Sequence, residues 1–232
     1  MHDLMKLESI NVGRAETISH NDQSLTTGIC KSPLAGAVHI GEMGVAGDVI
    51  VDTKHHGGVD QAVYAYSADD YDWWAAETEH HYTPGLFGEN LTIRGMPTDM
   101  NVGDRLLIGE VVLEATAPRI PCATFTTRMQ DTGFGMAFRN AERPGVYFRV
   151  LNGGDVEAGD FVTFVANNSR SVSILELFRF NYALRHDIDD MRRYLDSPVA
   201  VNFREKIESR LAAAERLQPD DRDDDDSDKL RS

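Results

Sequence analysis

The sequence predicts a mainly β fold, a closed or nearly closed β-barrel with short peripheral helices, followed by a small all-α domain of three helices. Up to residue 166, many short strand-forming runs are separated by Gly and Asp turns, and few stretches have helical periodicity. After residue 167 the apolar residues recur at helical spacing. We therefore predict a barrel domain over residues 1–166 and a three-helix domain over residues 167–218.

The last segment, residues 219–232, is predicted to be a disordered acidic tail. From residue 220 onward it holds seven aspartates against three basic residues, and Leu230 is its one apolar residue. Such a composition buries too little apolar surface to fold by itself. A docking function for the tail is the alternative.

The predicted elements follow one another along the chain. Alternating polarity begins the barrel with a strand over residues 6–12, and residues 31–33 interrupt a second extended stretch. Ser67 and Asp70 resemble a capping box that opens a helix over residues 69–77. The further predicted strands span residues 61–66, 91–93, 105–108, 111–116, 146–151 and 161–164. Two further short helices are predicted over residues 123–129 and 136–139. The three terminal helices are predicted around residues 174–178, 188–195 and 203–211.

Composition limits the classes of function. The chain has 232 residues, 41% of them hydrophobic, which is enough for a substantial core. Its net charge of −15 argues against nucleic acid or an anionic membrane as a partner, because phosphate binding needs clustered Lys and Arg. No apolar run is long enough to cross a membrane, and no export signal is recognisable. The two cysteines lie far apart and predict neither a disulfide framework nor a zinc finger, so we expect a cytoplasmic protein.

The densest polar cluster is the run from Lys54 to Asp60, which contains His55 and His56 before a Gly-Gly pair. Glycines allow the backbone to approach a ligand closely or to adopt a positive φ. Because successive side chains of a strand face opposite sides, at most one of the two histidines is expected to face a site. A zinc site built from both is therefore disfavoured.

Cys122 ends the run Pro118-Arg119-Ile120-Pro121, which follows a predicted strand. Pro121 suits the first position of the helix predicted after it. Cys122 would then lie near a helix N-terminus with Arg119 beside it, an arrangement that favours a thiolate. The alternative is a small buried hydrophobe, which is the commoner fate of a free cysteine and is slightly favoured by the local sequence.

Two further polar positions have both an ordinary and a functional interpretation. Lys31 is either a solvated surface lysine or, with the hydroxyl of Ser32 beside it, an anion ligand. Asn90 follows Glu89 at the start of a strand, where its amide either ties a turn together or contacts a heterocycle or phosphate. Their spacing does not decide between these interpretations.

Five motifs, in this order, resemble the MOSC domain family, named after the C-terminal domain of molybdenum cofactor sulfurase, and within it the YiiM-like branch. The motifs are Lys31-Ser32-Pro33, Gly47-Asp48, the run from Lys54 to Asp60, Gly88-Glu89-Asn90-Leu91 and Pro118-Arg119-Ile120-Pro121-Cys122. The resemblance covers residues 6–166, and residues 172–217 resemble the three-helix domain that follows in that branch. It implies a MOSC-type β-barrel that binds molybdenum cofactor.

The resemblance also implies roles for the matching residues. Cys122 would be the sulfur ligand of the protein to molybdenum and a catalytic residue, and the proton donor is either His56 or a water molecule. Lys31 and Ser32 match a pair on the phosphate side of the cofactor, and Asn90 matches an amide that contacts the pterin. The remaining cofactor-binding candidates, in motifs that line the same cleft, are Lys54, His55, Asp60 and Arg119.

By resemblance the reaction is the two-electron reduction of N-hydroxylated bases or amines, such as 6-hydroxylaminopurine, to the amine, as a detoxification. The chain has no cysteine set for an iron–sulfur cluster and no flavin or nicotinamide fingerprint, so a separate reductase is the expected electron donor. The alternatives are a sulfur carrier with a persulfide on Cys122 and a non-catalytic interaction module. The sequence does not define the oligomeric state, and a homodimer stays open.

Overall fold

A computed structural model of the protein describes residues 4–20, 23–53, 56–78, 80–167 and 170–217. The strands are β1 (Lys6–Gly13), β2 (Glu16–His20), β3 (Gln23–Thr27), β4 (Lys31–Pro33), β5 (Val38–Gly41), β6 (Gly44–Val45), β7 (Val63–Ser67), β8 (Leu91–Arg94), β9 (Arg105–Ile108), β10 (Val111–Pro118), β11 (Val146–Asn152), β12 (Gly154–Val156) and β13 (Thr163–Val165). The helices are α1 (Ala68–Thr78), α2 (Ala123–Met129), α3 (Phe134–Ala141), α4 (Ile174–Tyr182), α5 (Ile188–Leu195) and α6 (Val201–Leu217), and a short 3₁₀ turn spans Val59–Gln61.

The mainly β architecture predicted from the sequence is confirmed. Eight strands form the main sheet in the order β13-β9-β10-β11-β7-β8-β1-β4, and smaller sheets have the orders β12-β5-β6 and β2-β3. β7 and β8 pair in parallel, whereas the other pairs are antiparallel, so the main sheet is mixed. A parallel pair needs a crossover connection, and α1 provides it.

The prediction of a closed barrel is wrong, because the pairing of the main sheet leaves β4 and β13 as its two edge strands. The chain just before β13 does reach β1, where Lys6 and Phe161 form an isolated bridge and the Leu7 N–H donates to the Asp160 carbonyl at 2.9 Å. This segment turns at Gly159, whose N–H donates to the Leu7 carbonyl at 2.7 Å. Because of this turn, too few residues before β13 are extended to form a continuous ladder with β1.

The three terminal helices occur where the sequence predicts them, and their apolar residues belong to the same hydrophobic core as the sheet. Ile174, Met191 and Ile207 belong to the same hydrophobic core as Leu113 of the sheet. Helical periodicity identifies an apolar face and does not identify the surface that this face covers. The helices use that face to pack on the sheet, and they share its core.

Local predictions are confirmed with small differences. Helix α2 has the predicted bounds, but Cys122 is its N-cap and Pro121 precedes the helix instead of opening it. Ser67 accepts from the Asp69 N–H at 3.2 Å, so the predicted capping box with Asp70 does not form, and Asp70 pairs with Arg143.

The acidic tail predicted over residues 219–232 lies outside the described residues. Within the described ranges, the structure contains no helix with both the length and the apolar character that a membrane span requires.

Candidate active site

A cleft at the end of β10 gathers polar side chains from distant parts of the chain. Its empty space is about 720 Å³ when the part open to solvent is included. Its walls come from the β3–β4 connection, the loop after Asp48, the start of β8 and the segment between β10 and α2. The predicted site residues that line it are Lys31, His56, Asn90, Arg119 and Cys122.

Cys122 is the reactive group of the cleft. Burial alone would raise the pKa of its thiol, but a hydrogen bond from His56 and the charge of Arg119 outweigh burial. A hydrogen bond from the Phe125 backbone N–H to the thiol contributes in the same direction. Together they lower the pKa of the thiol from 9.0 to about 6, so Cys122 is mainly a thiolate at neutral pH.

Arg119 brings a buried positive charge to the thiolate. It is 5% exposed, and its Nη1 donates to the Phe87 carbonyl. Its guanidinium stacks over the Phe125 ring at 4.3 Å from the ring centroid and lies 5.4 Å from that of Tyr64. Its Nε has no hydrogen-bond partner among the described residues. Burying a donor without a partner is costly, so the guanidinium could donate this unused N–H to a bound anion.

A second polar group of the cleft is organised by Asp48. Its Oδ2 accepts from Lys31 Nζ and, at 2.9 Å, from Asn90 Nδ2, and its Oδ1 accepts from the Gly13 N–H at 2.7 Å. Burial lowers the pKa of Lys31, and the charge of Asp48 opposes this effect. The carboxylate therefore holds the ammonium and the amide side by side in one wall of the cleft.

His56 is held by a loop that depends on glycine. Gly57 and Gly58 have φ values of 77° and 80°, and a Cβ at Gly57 would lie 2.7 Å from Cδ1 of Ile50. The His56 N–H donates to the Asp52 carbonyl at 3.1 Å. Two consecutive glycines with positive φ therefore follow His56, whose side chain is hydrogen-bonded to the Cys122 sulfur.

Two predicted residues lie elsewhere. Ser32 is exposed on β4 and is absent from the cleft lining, and its backbone is in register with Val12. Asp60 is also absent from the lining, because its carboxylate is paired with Arg149 and accepts from the Val201 N–H. Lys54 and His55 lie outside the described residues.

The sequence interpretation missed two kinds of site residue. Asp48 belongs to the Gly47-Asp48 motif, but nothing in its sequence surroundings indicates that its carboxylate contacts both Lys31 and Asn90. Tyr64 and Tyr147 line the cleft with their rings 4.9 Å apart, although their strands are distant in sequence. Adjacent positions of β7 and β11 bring them together, a pairing that strand patterns alone do not reveal.

The arrangement defines a class of protein. Residues 52–163 match the MOSC domain, and the chain is 31% identical over 185 residues to the uncharacterized protein YflK of Bacillus subtilis, covering 79% of this chain and 82% of YflK. The chain belongs to the MOSC-domain family.

Within that family the chain is YiiM-like. The crystal structure of YiiM from Geobacillus stearothermophilus superposes with a TM-score of 0.74 at 28% identity, covering 89% of this chain and 99% of that one. The chain is also 30% identical over 196 residues to a protein named Reductase from Gibberella moniliformis, covering 82% of this chain and 35% of that protein. It thus corresponds to about a third of that reductase.

Proposed function

We propose that the protein is a molybdenum-cofactor-dependent oxidoreductase that reduces N-hydroxylated bases or amines, such as 6-hydroxylaminopurine, to the amine. The observation that carries the proposal is Cys122, whose thiol has a pKa of about 6 and lies beside a buried arginine in a cleft lined by polar side chains. A thiolate is a soft ligand of the kind that suits a transition metal.

The residues of the cleft fit an anionic pterin cofactor with a metal centre. Cys122 offers one sulfur ligand, and the unpartnered Nε of Arg119 offers a buried donor to an anionic group. Lys31 adds a second positive charge, although Asp48 already neutralises it in part. Asn90 lies at the same wall, where its amide donates to Asp48 and to the Asn11 carbonyl, and its amide oxygen, which accepts from the Tyr64 N–H, keeps one lone pair for a ligand. Arg119 and Asn90 would therefore orient the cofactor, and Cys122 would bind its metal.

When bound, molybdenum cofactor would supply two-electron oxygen-transfer chemistry. The chain itself contributes a proton donor and a controlled environment. His56 is half-buried and hydrogen-bonded to Cys122, so its ring is the group best situated to release a proton toward a departing oxygen. The rings of Tyr64 and Tyr147 pack against each other and form part of the cleft wall.

The overall reaction requires a source of electrons. Converting an N–OH group to N–H consumes two electrons and two protons and releases one water molecule. The chain contains only two cysteines and no cofactor fingerprint for a flavin or nicotinamide. We propose that a separate reductase delivers the electrons and that the N-hydroxylated substrate is a small molecule.

The relatives support the general part of this proposal. MOSC domains are associated with molybdenum-cofactor binding, and residues 52–163 match that domain. The fungal relative is named Reductase, which supports an oxidoreductase or cofactor-binding role. The choice of N-hydroxylated substrate comes from the resemblance to the YiiM-like branch.

A sulfur carrier is the second candidate function, because a persulfide carrier also needs an activated thiolate such as Cys122. The two functions differ in what the purified protein contains. A carrier would lack molybdenum and pterin and would carry one cyanide-releasable sulfur on Cys122.

The proposal is tested by growth on 6-hydroxylaminopurine in a sensitive host that makes molybdenum cofactor. We expect the wild-type protein and Cys30→Ser to restore resistance, because Cys30 does not line the cleft, and we expect Cys122→Ser to fail. Equal resistance with Cys122→Ser would contradict the mechanism and favour a non-catalytic interaction module.

A further inference from the structure

Asp60 joins four elements of the fold outside the cleft. Its Oδ1 pairs with Arg149 Nη2 at 2.9 Å, and its Oδ2 accepts from the Val201 N–H at 2.8 Å. Its carbonyl accepts from Thr116 Oγ1 at 2.6 Å. One residue thus ties the 3₁₀ turn to β10, β11 and the start of α6.

Both members of the His56–Cys122 pair are connected to this junction by short stretches of chain. Asp60 follows His56 by four residues, and Gly57 and Gly58 between them have positive φ values. The Gln61 N–H donates to the Gly58 carbonyl at 3.0 Å, which closes the turn. On the other side, Thr116 precedes Cys122 by six residues at the end of β10. Asp60 therefore links the loop of His56 to the strand that leads to Cys122.

The amino end of α6 completes the junction. Besides the Val201 N–H that reaches Asp60, the Ala200 N–H donates to the Thr116 carbonyl at 3.2 Å. Arg149 Nη2 donates to the Pro198 carbonyl at 3.0 Å. A carboxylate at the amino end of a 17-residue helix is favoured by the helix dipole and by the unpaired N–H groups there.

The network continues into the sheet. Glu114 accepts from Arg149 at 3.5 Å and from Arg105 Nη2 at 2.9 Å, so Asp60, Arg149, Glu114 and Arg105 form an alternating chain of charges. These ion pairs hold the Arg149 side chain from two sides and so restrict the position of the Asp60 carboxylate.

We propose that Asp60 is a positioning residue that holds the His56 loop against β10, and that the amino end of α6 completes this clamp. The carboxy-terminal helices would then set the geometry of the His56–Cys122 pair without contacting substrate or cofactor. The inference rests on the proposed function, because that function gives the His56–Cys122 pair its role. The contacts of Asp60 themselves are present in the protein without cofactor, and they are tested in that form.

The test measures the pH dependence of Cys122 alkylation by iodoacetamide in the full chain, prepared with Cys30→Ser from a host that lacks molybdenum cofactor. The variants are Asp60→Ala, Asp60→Asn and Val201→Pro. Proline is favoured at the first position of a helix, so Val201→Pro removes the N–H that reaches Asp60 and keeps the helix. Ile207→Val is the matched control, because it weakens the buried face of α6 away from the clamp.

If Asp60 positions His56, Asp60→Ala and Val201→Pro raise the midpoint of alkylation by roughly one pH unit, the size expected when a hydrogen bond to a thiolate is weakened. Asp60→Asn gives a smaller rise, since its amide oxygen still accepts from Val201. Ile207→Val lowers the melting temperature and leaves the midpoint unchanged.

Unchanged midpoints in both Asp60→Ala and Val201→Pro would overturn the inference and leave Asp60 a purely structural residue. An equal rise in Ile207→Val would overturn it as well, because any loosening of α6 would then suffice. If Asp60→Ala does not fold, Val201→Pro decides the outcome. None of these results depends on whether the loaded protein reduces N-hydroxylated compounds.

Discussion

Lys31 and Asp48 form an ion pair in the wall of the candidate active site, with side chains that are 8% and 7% exposed. Burying two charges is costly, and the pair is tolerated because both partners are held by further contacts. Asp48 also accepts from the Asn90 amide and from the Gly13 N–H. The pair therefore links the end of β1 and the start of β4 to the loop that carries Asn90.

The first prediction concerns the stability of this pair. Asp48→Ala leaves the Lys31 ammonium, the Asn90 amide and the Gly13 N–H without their common acceptor. We expect it to lower the free energy of unfolding by about 3–5 kcal/mol in urea denaturation.

The matched control is Asp155→Ala, which removes the partner of His39 in an exposed pair. Exposed pairs contribute little, so this variant should change the free energy of unfolding by less than about 1 kcal/mol. A similar loss of unfolding free energy in both variants would contradict the prediction, because the buried pair would then contribute no more to stability than the exposed pair.

The second prediction is the pH dependence of thiol reactivity in protein prepared without cofactor. Because the thiolate is the nucleophile, the rate of Cys122 alkylation should rise through pH 6 and level off above it. Burial, together with a hydrogen bond to Glu16, raises the pKa of Cys30 to about 11, so Cys30 should stay unreactive throughout this range. Mass spectrometry of singly alkylated protein separates the two sites, and a midpoint near 9 for Cys122 would contradict the activated thiolate.

The third prediction separates Arg119 from the other stacked arginines. Arg119→Met removes the positive charge that helps to lower the pKa of Cys122, so the midpoint of alkylation should rise by roughly one pH unit. Arg139→Met is the control, since Arg139 stacks over Tyr182 at 4.3 Å and does not line the cleft. A shift of the midpoint in the control alone, or in neither variant, would exclude Arg119 as the source of the effect.

The fourth prediction uses two glycines with nearly equal backbone angles. Gly57 and Gly36 have φ values of 77° and 79°, but a Cβ would meet Ile50 only at Gly57, and at Gly36 it would meet nothing within 4 Å. Alanine at either position should cost about 1–2 kcal/mol of unfolding free energy for the left-handed conformation. Only Gly57→Ala should also raise the alkylation midpoint of Cys122, because only that loop carries His56. A rise of the alkylation midpoint in Gly36→Ala without a rise in Gly57→Ala would disprove this role of the loop.

The sequence predicted the local elements well because local rules determine them. Period-two and helical patterns place β10 and α2, and the chain order then puts Arg119 and Cys122 between them. Closure of the sheet depends instead on a contact between Lys6 and Phe161, which are far apart in sequence. No local pattern reports whether such a contact extends into a ladder.

The site residues show the same difference between what local sequence determines and what distant contacts determine. Short motifs identified Cys122, Arg119, Asn90, Lys31 and His56, all of which line the cleft. Asp60 belongs to one of those motifs but pairs with Arg149 and Val201 instead. The direction of its side chain is set by β11 and by α6, and these partners lie far from it in sequence.

The most direct measurement is the molybdenum and pterin content of the full chain purified from a host that makes molybdenum cofactor. We expect about one molybdenum and one pterin per wild-type chain, the same for Cys30→Ser, and loss of molybdenum from Cys122→Ser. Repeated absence of both molybdenum and pterin from the wild-type protein, with one cyanide-releasable sulfur on Cys122, would contradict the proposed reductase and establish a sulfur carrier.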